Sequence, residues 1–539
     1  MSVLEIDDLS VSFRTGNGLV KAVRNVSLTV DAGQTLAIVG ESGSGKSTTA
    51  SAINKLLAEN AVVESGRVLL DGADLTDRNE SQMRVLRGAA IGLVPQDPMS
   101  NLNPVMRIGD QIAEALQVHG KPAGQAQVTE LLELVGIPDP QRRSRQYPHE
   151  FSGGMRQRVL IAIGLACRPR LLIADEPTSA LDVTVQRRIL DQLDELTDEL
   201  GTAVVLVTHD LALAAERADT IAVMYRGEVV ESGSASEVLG SPKHEYTKRL
   251  LAASPAITTA RARGGEATTP TEPGAPLLEV SGLTKVFGVR RGWQVEEFVA
   301  VDDASLTVPR GATVSIVGES GSGKSTLANM VLGLLEPTAG QIIFDGSPVA
   351  GAKAATDRRS QLAFRKRVQP VFQNPFASLD PRYTVERSIA EPLRVHGLHR
   401  EGRNLGGRVR ELLDQVALPA NLASRRPHEL SGGQRQRVAI ARALALTPDL
   451  VVLDEAVSAL DVLVQAQILD LLDSLQDELG LSYLFISHDL AVVRMISDHV
   501  HVMRRGRIVE TGTPDEIFDH PEHEYTRELL SAIPGRTRG

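Results

Sequence analysis

The sequence carries the same motifs twice, in the same order. GESGSGKST occupies Gly40–Thr48 and recurs unchanged at Gly318–Thr326. FSGGMRQR at Phe151–Arg158 is matched by LSGGQRQR at Leu430–Arg437. Self-similarity of this kind is the mark of a repeated structural unit. The chain is therefore expected to fold as two homologous domains.

The spacing between the motifs is repeated as closely as their letters. Lys46 and Ser152 are 106 positions apart, and Lys324 and Ser431 are 107 positions apart. A motif that arose by chance would not bring its neighbours along at the same intervals. With 539 residues, the chain is also too long for one ordinary hydrophobic core.

The boundary between the copies can be read from composition. Residues 253–276 are rich in Pro, Gly, Ala and Thr and show no helical or strand periodicity. The next segment, LLEVSGLTKVF, resembles LEIDDLSVSF near the first residue and marks the start of the second copy. The sequence predicts a first domain at 1–252, a flexible linker at 253–276 and a second domain at 277–533.

Each copy is predicted to be an α/β domain. TLAIVG, LLIAD and AVVLVT are short apolar runs rich in branched residues, which is typical of buried parallel strands. LVKAVRNVSLTV shows a clearer alternation of polar and apolar residues, which predicts a small antiparallel β subdomain. Helical patterns such as QIAEALQVHG between Gln96 and Ser152 predict an α-helical subdomain.

The overall composition excludes several classes of protein. Hydrophobic content of 42% and charged content of 23% are typical of a globular chain, and no apolar run is long enough to span a bilayer. The first residues lack the pattern of a secretory signal, so we expect a cytosolic protein. A net charge of −11 and aromatic content of 3% argue against nucleic acid as a partner. The single cysteine, Cys167, cannot by itself hold a metal cluster, and its apolar surroundings favour a buried thiol.

GESGSGKST has the pattern of a phosphate-binding loop. It stands between a predicted strand and a predicted helix, which is the context that this motif requires. Its glycines let successive backbone N–H groups point at phosphate oxygens, next to the positive end of the helix. We expect Lys46 and Lys324 to reach the β- and γ-phosphates, and Ser47 and Ser325 to bind Mg²⁺. The predicted ATP-binding residues of the two loops are Gly40, Ser42, Gly43, Gly45, Lys46, Ser47 and Thr48, and Gly318, Ser320, Gly321, Gly323, Lys324, Ser325 and Thr326.

Paired acidic residues follow two apolar strands. Asp175 and Asp454 end these strands, where a charge needs a cation to neutralise it, and Mg²⁺ suits that position. Glu176 and Glu455 come next and are predicted to polarise the attacking water.

Two more matched pairs complete the predicted chemistry. His209 and His488 also follow strands and are predicted to be catalytic, contacting the γ-phosphate and the attacking water. Gln96 and Gln373 follow the short strands GLVPQ and QPVFQ, and we expect their amides to contact Mg²⁺ or that water.

The SGG segments provide a second anion-binding helix start in each copy. Because Lys46 already serves the local nucleotide, this second site makes sense if it closes over the nucleotide of the other copy. The residues of the two segments are Ser152, Gly153 and Gly154, and Ser431, Gly432 and Gly433.

Together these motifs resemble those of the ATP-binding-cassette (ABC) ATPases over nearly the whole chain. The resemblance implies two tandem P-loop domains, each with a RecA-like α/β core, that meet head to tail and bind two ATP molecules between them. One ATP would lie between the loop of Lys46 and the signature of Ser431, the other between the loop of Lys324 and the signature of Ser152. The resemblance also implies an aromatic residue beneath adenine, for which Phe13 and Phe287 are the candidates.

Several longer segments around these motifs are similar to those of the peptide/nickel importer subfamily, which includes glutathione and oligopeptide systems. The segments that carry it include EPTSALDVTVQ, FQNPFASLDP and the paired endings PKHEYTKRLL and PEHEYTRELL. The resemblance implies a bacterial ATPase on the cytoplasmic side of the cell membrane. Its partners would be two transmembrane permease subunits and an extracytoplasmic solute-binding protein, with peptide, glutathione or nickel all open as cargo. No iron–sulfur cluster is expected, because neither tail contains cysteine.

Two other functions remain open from the sequence. One is an exporter ATPase, although the halves of exporters are more often fused to membrane spans. The other is a soluble ABC protein that acts on ribosomes or DNA, although such proteins usually carry long insertions or basic linkers.

Overall fold

The computed structural model describes residues 2–16, 18–178, 181–254, 275–291, 294–351, 358–373, 378–398, 404–458 and 460–534. The chain divides into two compact units, which correspond to the two copies of the repeat. We call them the N-terminal half and the C-terminal half and describe each by itself. Most of the predicted linker, residues 255–274, lies outside the described residues.

The N-terminal half contains two sheets. Its strands are β1 (Ser2–Thr15), β2 (Gly18–Asp31), β3 (Thr35–Val39), β4 (Ala61–Leu70), β5 (Ala73–Asp74), β6 (Ile91–Val94), β7 (Leu171–Asp175), β8 (Ala203–Thr208), β9 (Thr220–Tyr225) and β10 (Glu228–Ser234). The first sheet is antiparallel, in the order β2-β1-β4-β5. The second has the order β10-β9-β3-β8-β7-β6, with every neighbouring pair parallel except β9 and β10.

Burial on both faces explains why the central residues of β3, β7 and β8 are all apolar. Successive side chains of a strand point to opposite faces of the sheet. Ile173 and Val205 belong to a core shared with the antiparallel sheet, whereas Leu172 and Leu206 belong to a core shared with the helices. The three apolar runs therefore form the centre of a parallel sheet, as the sequence predicted.

Helices cover the parallel sheet and form the predicted helical subdomain. The helices of this half are Lys46–Ile53, Glu80–Leu86, Pro98–Asn101, Ile108–Gln117, Gln125–Leu134, Pro140–Arg143, Gly153–Leu165, Val183–Leu200, Leu211–Arg217, Ala235–Gly240 and Glu245–Ala253, with a 3-10 turn at Pro148–Glu150. Those between residues 98 and 143 pack through Ile108, Ile112, Val128 and Leu132 against the helix Gly153–Leu165. This subdomain separates Gln96 from Ser152 along the chain.

The C-terminal half repeats this architecture. Its strands are β11 (Leu278–Arg291), β12 (Gln294–Val308), β13 (Thr313–Val317), β14 (Ala339–Phe344), β15 (Ser347–Ala350), β16 (Val368–Val371), β17 (Leu450–Asp454), β18 (Ser482–Ser487), β19 (His499–Arg504) and β20 (Arg507–Gly512). Its helices include Lys324–Val331, Arg358–Arg367, Val385–Val395, Leu405–Gln415, Gly432–Leu444, Val462–Leu479, Leu490–Ile496, Pro514–Asp519 and Glu524–Ser531. The sheet orders are β12-β11-β14-β15 and β16-β17-β18-β13-β19-β20, so the predicted fold class is confirmed in both halves.

None of the helices within the described ranges is both long enough and apolar enough to cross a membrane.

Candidate active site

The predicted phosphate loop of the N-terminal half connects β3 to the helix Lys46–Ile53. Gly45 precedes this helix with a φ of 104°, a conformation that favours glycine. A Cβ atom at Gly45 would also lie 2.6 Å from the carbonyl oxygen of Ala22. Glycine is therefore required here both by the backbone conformation and by the close approach of β2.

Lys46 lies folded over its own loop. Its Nζ donates hydrogen bonds to the carbonyl oxygens of Gly40, at 2.6 Å, and Glu41, at 2.9 Å. Burial lowers the pKa of Lys46, and the carboxylates of Glu176 and Asp175 oppose that shift. The ammonium group is thus inside the loop and within the electrostatic field of the strand-end acids.

The loop of the C-terminal half has the same geometry. Gly323 precedes the helix Lys324–Val331 with a φ of 108°. Lys324 Nζ donates to the carbonyl oxygens of Gly318, at 2.7 Å, and Glu319, at 2.8 Å. The identical sequence therefore forms the same loop twice.

A serine of each loop faces the aspartate that was predicted to bind Mg²⁺. Ser47 Oγ donates to Asp175 Oδ1 at 3.2 Å, and Ser325 Oγ donates to Asp454 Oδ1 at 3.3 Å. Burial and the adjacent glutamate raise the pKa of both aspartates. Hydroxyl and carboxylate oxygens are hard donors that suit Mg²⁺. The described residues contain no group of three or more His, Cys, Asp or Glu side chains placed to hold a metal.

Glu176 lies between Gln96 and His209, which are also expected to lie near the attacking water. Gln96 Nε2 donates to Glu176 Oε2 at 2.9 Å, and His209 Nδ1 lies 3.3 Å from Glu176 Oε1. In the C-terminal half, Gln373 Nε2 donates to Glu455 Oε2 at 2.6 Å, and His488 Nδ1 lies 3.3 Å from the same oxygen. In each half, the structure therefore brings the predicted glutamate, glutamine and histidine together as a trio.

The charges of these trios are coupled. Burial alone would raise the pKa of Glu176, but the hydrogen bonds and charges of its neighbours, His209 foremost, hold it below the usual value. Burial would lower the pKa of His209, but Glu176 raises it. Glu455 and His488 show the same opposed shifts. Each glutamate is therefore a carboxylate whose orientation is fixed by two neighbours.

The backbone at both glutamates is in the left-handed region. Glu176 has a φ of 44° and Glu455 a φ of 49°, which is uncommon for a long side chain. Such a conformation costs about 1–3 kcal/mol and is concentrated at functional sites. Their backbone N–H groups donate to Val207 and Ile486 of the neighbouring strands, both at 2.9 Å, which holds the turn in place.

The signature serines begin long helices. Ser152 caps the helix Gly153–Leu165 by accepting from Met155 N, and Ser431 caps the helix Gly432–Leu444 by accepting from Gln434 N. Ser152 and Ser431 are exposed, so the positive ends of both helices face solvent within their own half.

The two predicted adenine-stacking residues occupy equivalent strands. Phe13 lies on β1 opposite Val20, and Phe287 lies on β11 opposite Phe298. Phe287 is 37% exposed, and Lys285 Nζ lies 5.3 Å from the centre of its ring. Their role toward adenine stays a prediction.

The family model described as ABC transporter matches residues 23–179 and 301–458. The chain belongs to the ABC transporter family. Its two ABC domains bind and hydrolyse ATP, and the geometry above occurs once in each. A second model, the C-terminal region of oligopeptide/dipeptide transporters, matches residues 230–279 and 509–538. This match includes the segment that the sequence predicted to be a linker.

Curated relatives are similar over nearly the whole of this chain. The glutathione import ATP-binding protein GsiA of Salmonella choleraesuis is 46% identical over 99% of this chain and 89% of its own length. The same protein of Escherichia coli is 44% identical over 99% of this chain and 90% of its own. Among solved structures, cbiO1 of Clostridium perfringens, part of an ABC transporter complex, is 30% identical with a TM-score of 0.40, covering 46% of this chain and 92% of its own.

One contact of the phosphate loops was not foreseen. Tyr246 and Tyr525 stand in the repeated HEYT ending, and their hydroxyl groups accept hydrogen bonds from the loop residues Glu41 and Glu319. The repeat of HEYT was visible in the sequence, but nothing in its pattern indicated what the tyrosine contacts.

Proposed function

We propose that this chain is the ATP-hydrolysing subunit that powers import of peptides, or of a related small solute such as glutathione, through separate membrane permease subunits. The observation that carries the proposal is the similarity to glutathione import ATP-binding proteins over 99% of the chain. The match of both halves to the C-terminal region of oligopeptide/dipeptide transporters supports the same class of cargo.

The proposed chemistry follows from the side chains that each half brings together. Lys46 and the loop amides would hold the β- and γ-phosphates, as would Lys324 in the other half. Glu176 and Glu455 would orient and polarise the attacking water as carboxylates. His209, Gln96 and their counterparts would keep these carboxylates charged and in position.

Mg²⁺ fits the oxygen donors that face each other beside each loop. Ser47 and Asp175, and likewise Ser325 and Asp454, would hold the cation, with the side-chain oxygens of Gln96 and Gln373 as further candidates. When bound, the cation would neutralise charge on the phosphates.

Import also requires a path through the membrane, which we assign to two permease subunits supplied with solute by an extracytoplasmic binding protein. The segment after Gln96 suits contact with such a permease, because Met99 is 66% exposed and Val105 is 80% exposed. Contact with a permease would remove these exposed apolar side chains from water. We place the chain on the cytoplasmic side of a bacterial cell membrane.

The test is solute uptake by a bacterial strain from which this chain has been deleted. The strain is supplied with nothing, with the wild-type chain or with the Glu176→Gln/Glu455→Gln variant. Labelled glutathione and a labelled tripeptide are supplied in separate assays. We expect wild-type cells to accumulate at least one of them and cells with the variant to accumulate neither. Equal uptake with and without the chain would contradict the proposal.

Two further measurements, solute efflux from the same cells and ATP turnover of the purified chain, separate the two alternatives. Faster loss of preloaded solute in wild-type cells would favour an exporter. Stimulation of ATP turnover by ribosomes or DNA would favour a soluble ABC protein of translation or repair. The names of the relatives support import over both.

A further inference from the structure

The C-terminal helix of each half contacts the phosphate loop of the same half through one tyrosine. Tyr246 Oη accepts a hydrogen bond from the backbone N–H of Glu41 at 3.0 Å. Tyr525 Oη accepts one from the backbone N–H of Glu319, also at 3.0 Å. Glu41 and Glu319 are the second residues of their loops, so the contact lies where each strand turns into the loop.

The start of each tyrosine-bearing helix is tied to the adjacent strand. Glu231 of β10 accepts from the backbone N–H groups of Lys243 and His244, at 2.7 and 3.1 Å. His244 in turn accepts from the backbone N–H of Tyr246 at 3.2 Å. In the other half, Glu510 of β20 accepts from Glu522 and His523, and His523 accepts from Tyr525. The position of each hydroxyl group is therefore set by the fold.

The ring of each tyrosine also packs against a neighbouring side chain, and that neighbour differs between the two halves. Tyr225 stacks on Tyr246 with 4.3 Å between ring centres. At the equivalent position of the C-terminal half, the guanidinium of Arg504 lies 4.5 Å from the ring centre of Tyr525. Both tyrosines are only 1% exposed. The hydroxyl contact is thus kept although the supporting residue differs.

The tyrosine contact does not depend on the loop lysine. Lys46 Nζ donates to the carbonyl oxygens of Gly40 and Glu41, yet it is also the group that must reach the phosphates. A lysine that moves to the phosphates releases those carbonyls. The bond from Glu41 N–H to Tyr246 can persist through that movement and keep the entrance of the loop in shape.

We propose that Tyr246 and Tyr525 are positioning residues that hold the phosphate loops ready for ATP, so that the C-terminal region of each half sets the ATP affinity of that half. The apparent affinity of a site falls with the fraction of molecules whose loop is already in the binding shape. Removal of the hydroxyl lowers that fraction, whereas bound phosphates restore the loop. The substitution therefore acts on ATP affinity and leaves turnover at saturating ATP unchanged. This inference rests on the proposed nucleotide sites.

The experiment compares Tyr246→Phe, Tyr525→Phe and the double variant with the wild-type chain. We measure equilibrium ATP binding in the Glu176→Gln/Glu455→Gln background, and KM and kcat with the glutamates intact. We expect the double variant to raise the Kd and KM for ATP about 3- to 10-fold, and to keep kcat within about twofold. Each single variant should weaken one of two sites.

Tyr483→Phe is the matched control. Tyr483 is also a buried tyrosine, and its hydroxyl donates to the carbonyl oxygen of Leu472 at 2.9 Å. Tyr483→Phe therefore removes a buried tyrosine hydrogen bond that does not involve a phosphate loop. Thermal unfolding of all variants shows whether their stability losses are alike. A second pair, His244→Ala and His523→Ala, loosens the helix starts and should raise Kd in the same direction.

Two results would overturn the inference. One is an ATP Kd in the tyrosine variants equal to that of the parent or of Tyr483→Phe, and the other is a fall in kcat without a rise in KM. A parent chain that binds no ATP at all would instead overturn the proposed function, and this inference with it.

Discussion

His209 Nδ1 lies 3.3 Å from Oε1 of Glu176, where two neighbouring parallel strands end. The glutamate follows β7 and the histidine follows β8, so the pairing of the strands places the two side chains together. His488 and Glu455 repeat this relationship after β17 and β18. Because the imidazole favours the charged carboxylate, we expect each glutamate to be able to polarise water.

Glu176→Gln and Glu455→Gln test whether both halves hydrolyse ATP. Glutamine keeps the shape of the side chain but loses the charge that polarises water, so hydrolysis at the altered site should fall about 10²–10³-fold. Each single variant should retain one unhydrolysed ATP per chain and the double variant two, as measured by gel filtration with labelled ATP.

The matched control for the glutamate variants is Glu199→Gln, on the exposed side of the helix Val183–Leu200. It removes the same charge away from the site and should turn over like the wild type. Near-normal turnover in Glu455→Gln together with complete loss in Glu176→Gln would mean that only one half is active.

Lys46→Ala and Lys324→Ala test the phosphate contacts. Loss of a charged hydrogen-bond donor to phosphate should weaken ATP binding at that site about 10- to 100-fold. Lys55→Ala is the control, because Lys55 Nζ also donates to two backbone carbonyl oxygens, those of Thr76 and Arg78, both at 2.7 Å. ATP titration should show one tight site fewer in each loop variant and no change in Lys55→Ala; equal losses in all three would refute a phosphate-specific role.

Asp175→Asn tests the magnesium site. The amide keeps the hydrogen bond with Ser47 possible but removes the negative charge that would attract the cation. We expect the Mg²⁺ concentration for half-maximal ATP turnover to rise about 10- to 100-fold, with Asp454→Asn behaving alike. Asp198→Asn, on an exposed helix position, should leave the Mg²⁺ dependence unchanged. An unchanged dependence in the Asp175 and Asp454 variants would show that the cation binds elsewhere.

His501 predicts an acid-dependent loss of stability in the C-terminal half. Burial lowers its pKa to about 4 in the folded chain, whereas an unfolded histidine titrates near 6.5. The stability that depends on neutral His501 is therefore complete above about pH 6.5 and is lost as pH falls toward about 4. Between about pH 7.5 and about pH 5, the loss should amount to about 2 kcal/mol.

His501→Ala isolates this effect, because the equivalent position of the N-terminal half is Ala222. The variant is expected to lose less unfolding free energy than the wild type over the same pH range in urea unfolding. Identical pH dependence of the two proteins would show that His501 is not the titrating group.

The sequence predicted most of the fold because its strongest signals are local. The apolar runs TLAIV, LLIAD and AVVLVT coincide with β3, β7 and β8, and the carboxyl ends of parallel strands meet at one edge. The strand β10 was not predicted, because EVVESGS is a half-exposed edge with weak alternation.

The contact between Tyr246 and Glu41 could not be predicted for a different reason. The two residues are 205 positions apart, and the contact depends on how the last helix packs onto the half. The HEYT repeat indicated that the segment matters in both copies. Only the folded chain identifies the backbone group that the hydroxyl contacts.

The last prediction concerns which signature serves which phosphate loop. The helices that follow Ser152 and Ser431 have exposed N-terminal ends, which suit an anion. The resemblance to ABC ATPases pairs Ser431 with the loop of Lys46.

In the Glu455→Gln background, only the site of Lys46 and Glu176 is expected to turn over. Addition of Ser431→Ala should then reduce ATP turnover about 10-fold or more, because it removes contacts to the γ-phosphate of that site. Addition of Ser152→Ala, the same change in the other signature, should have little effect. The reverse pattern would show that each signature acts on the loop of its own half.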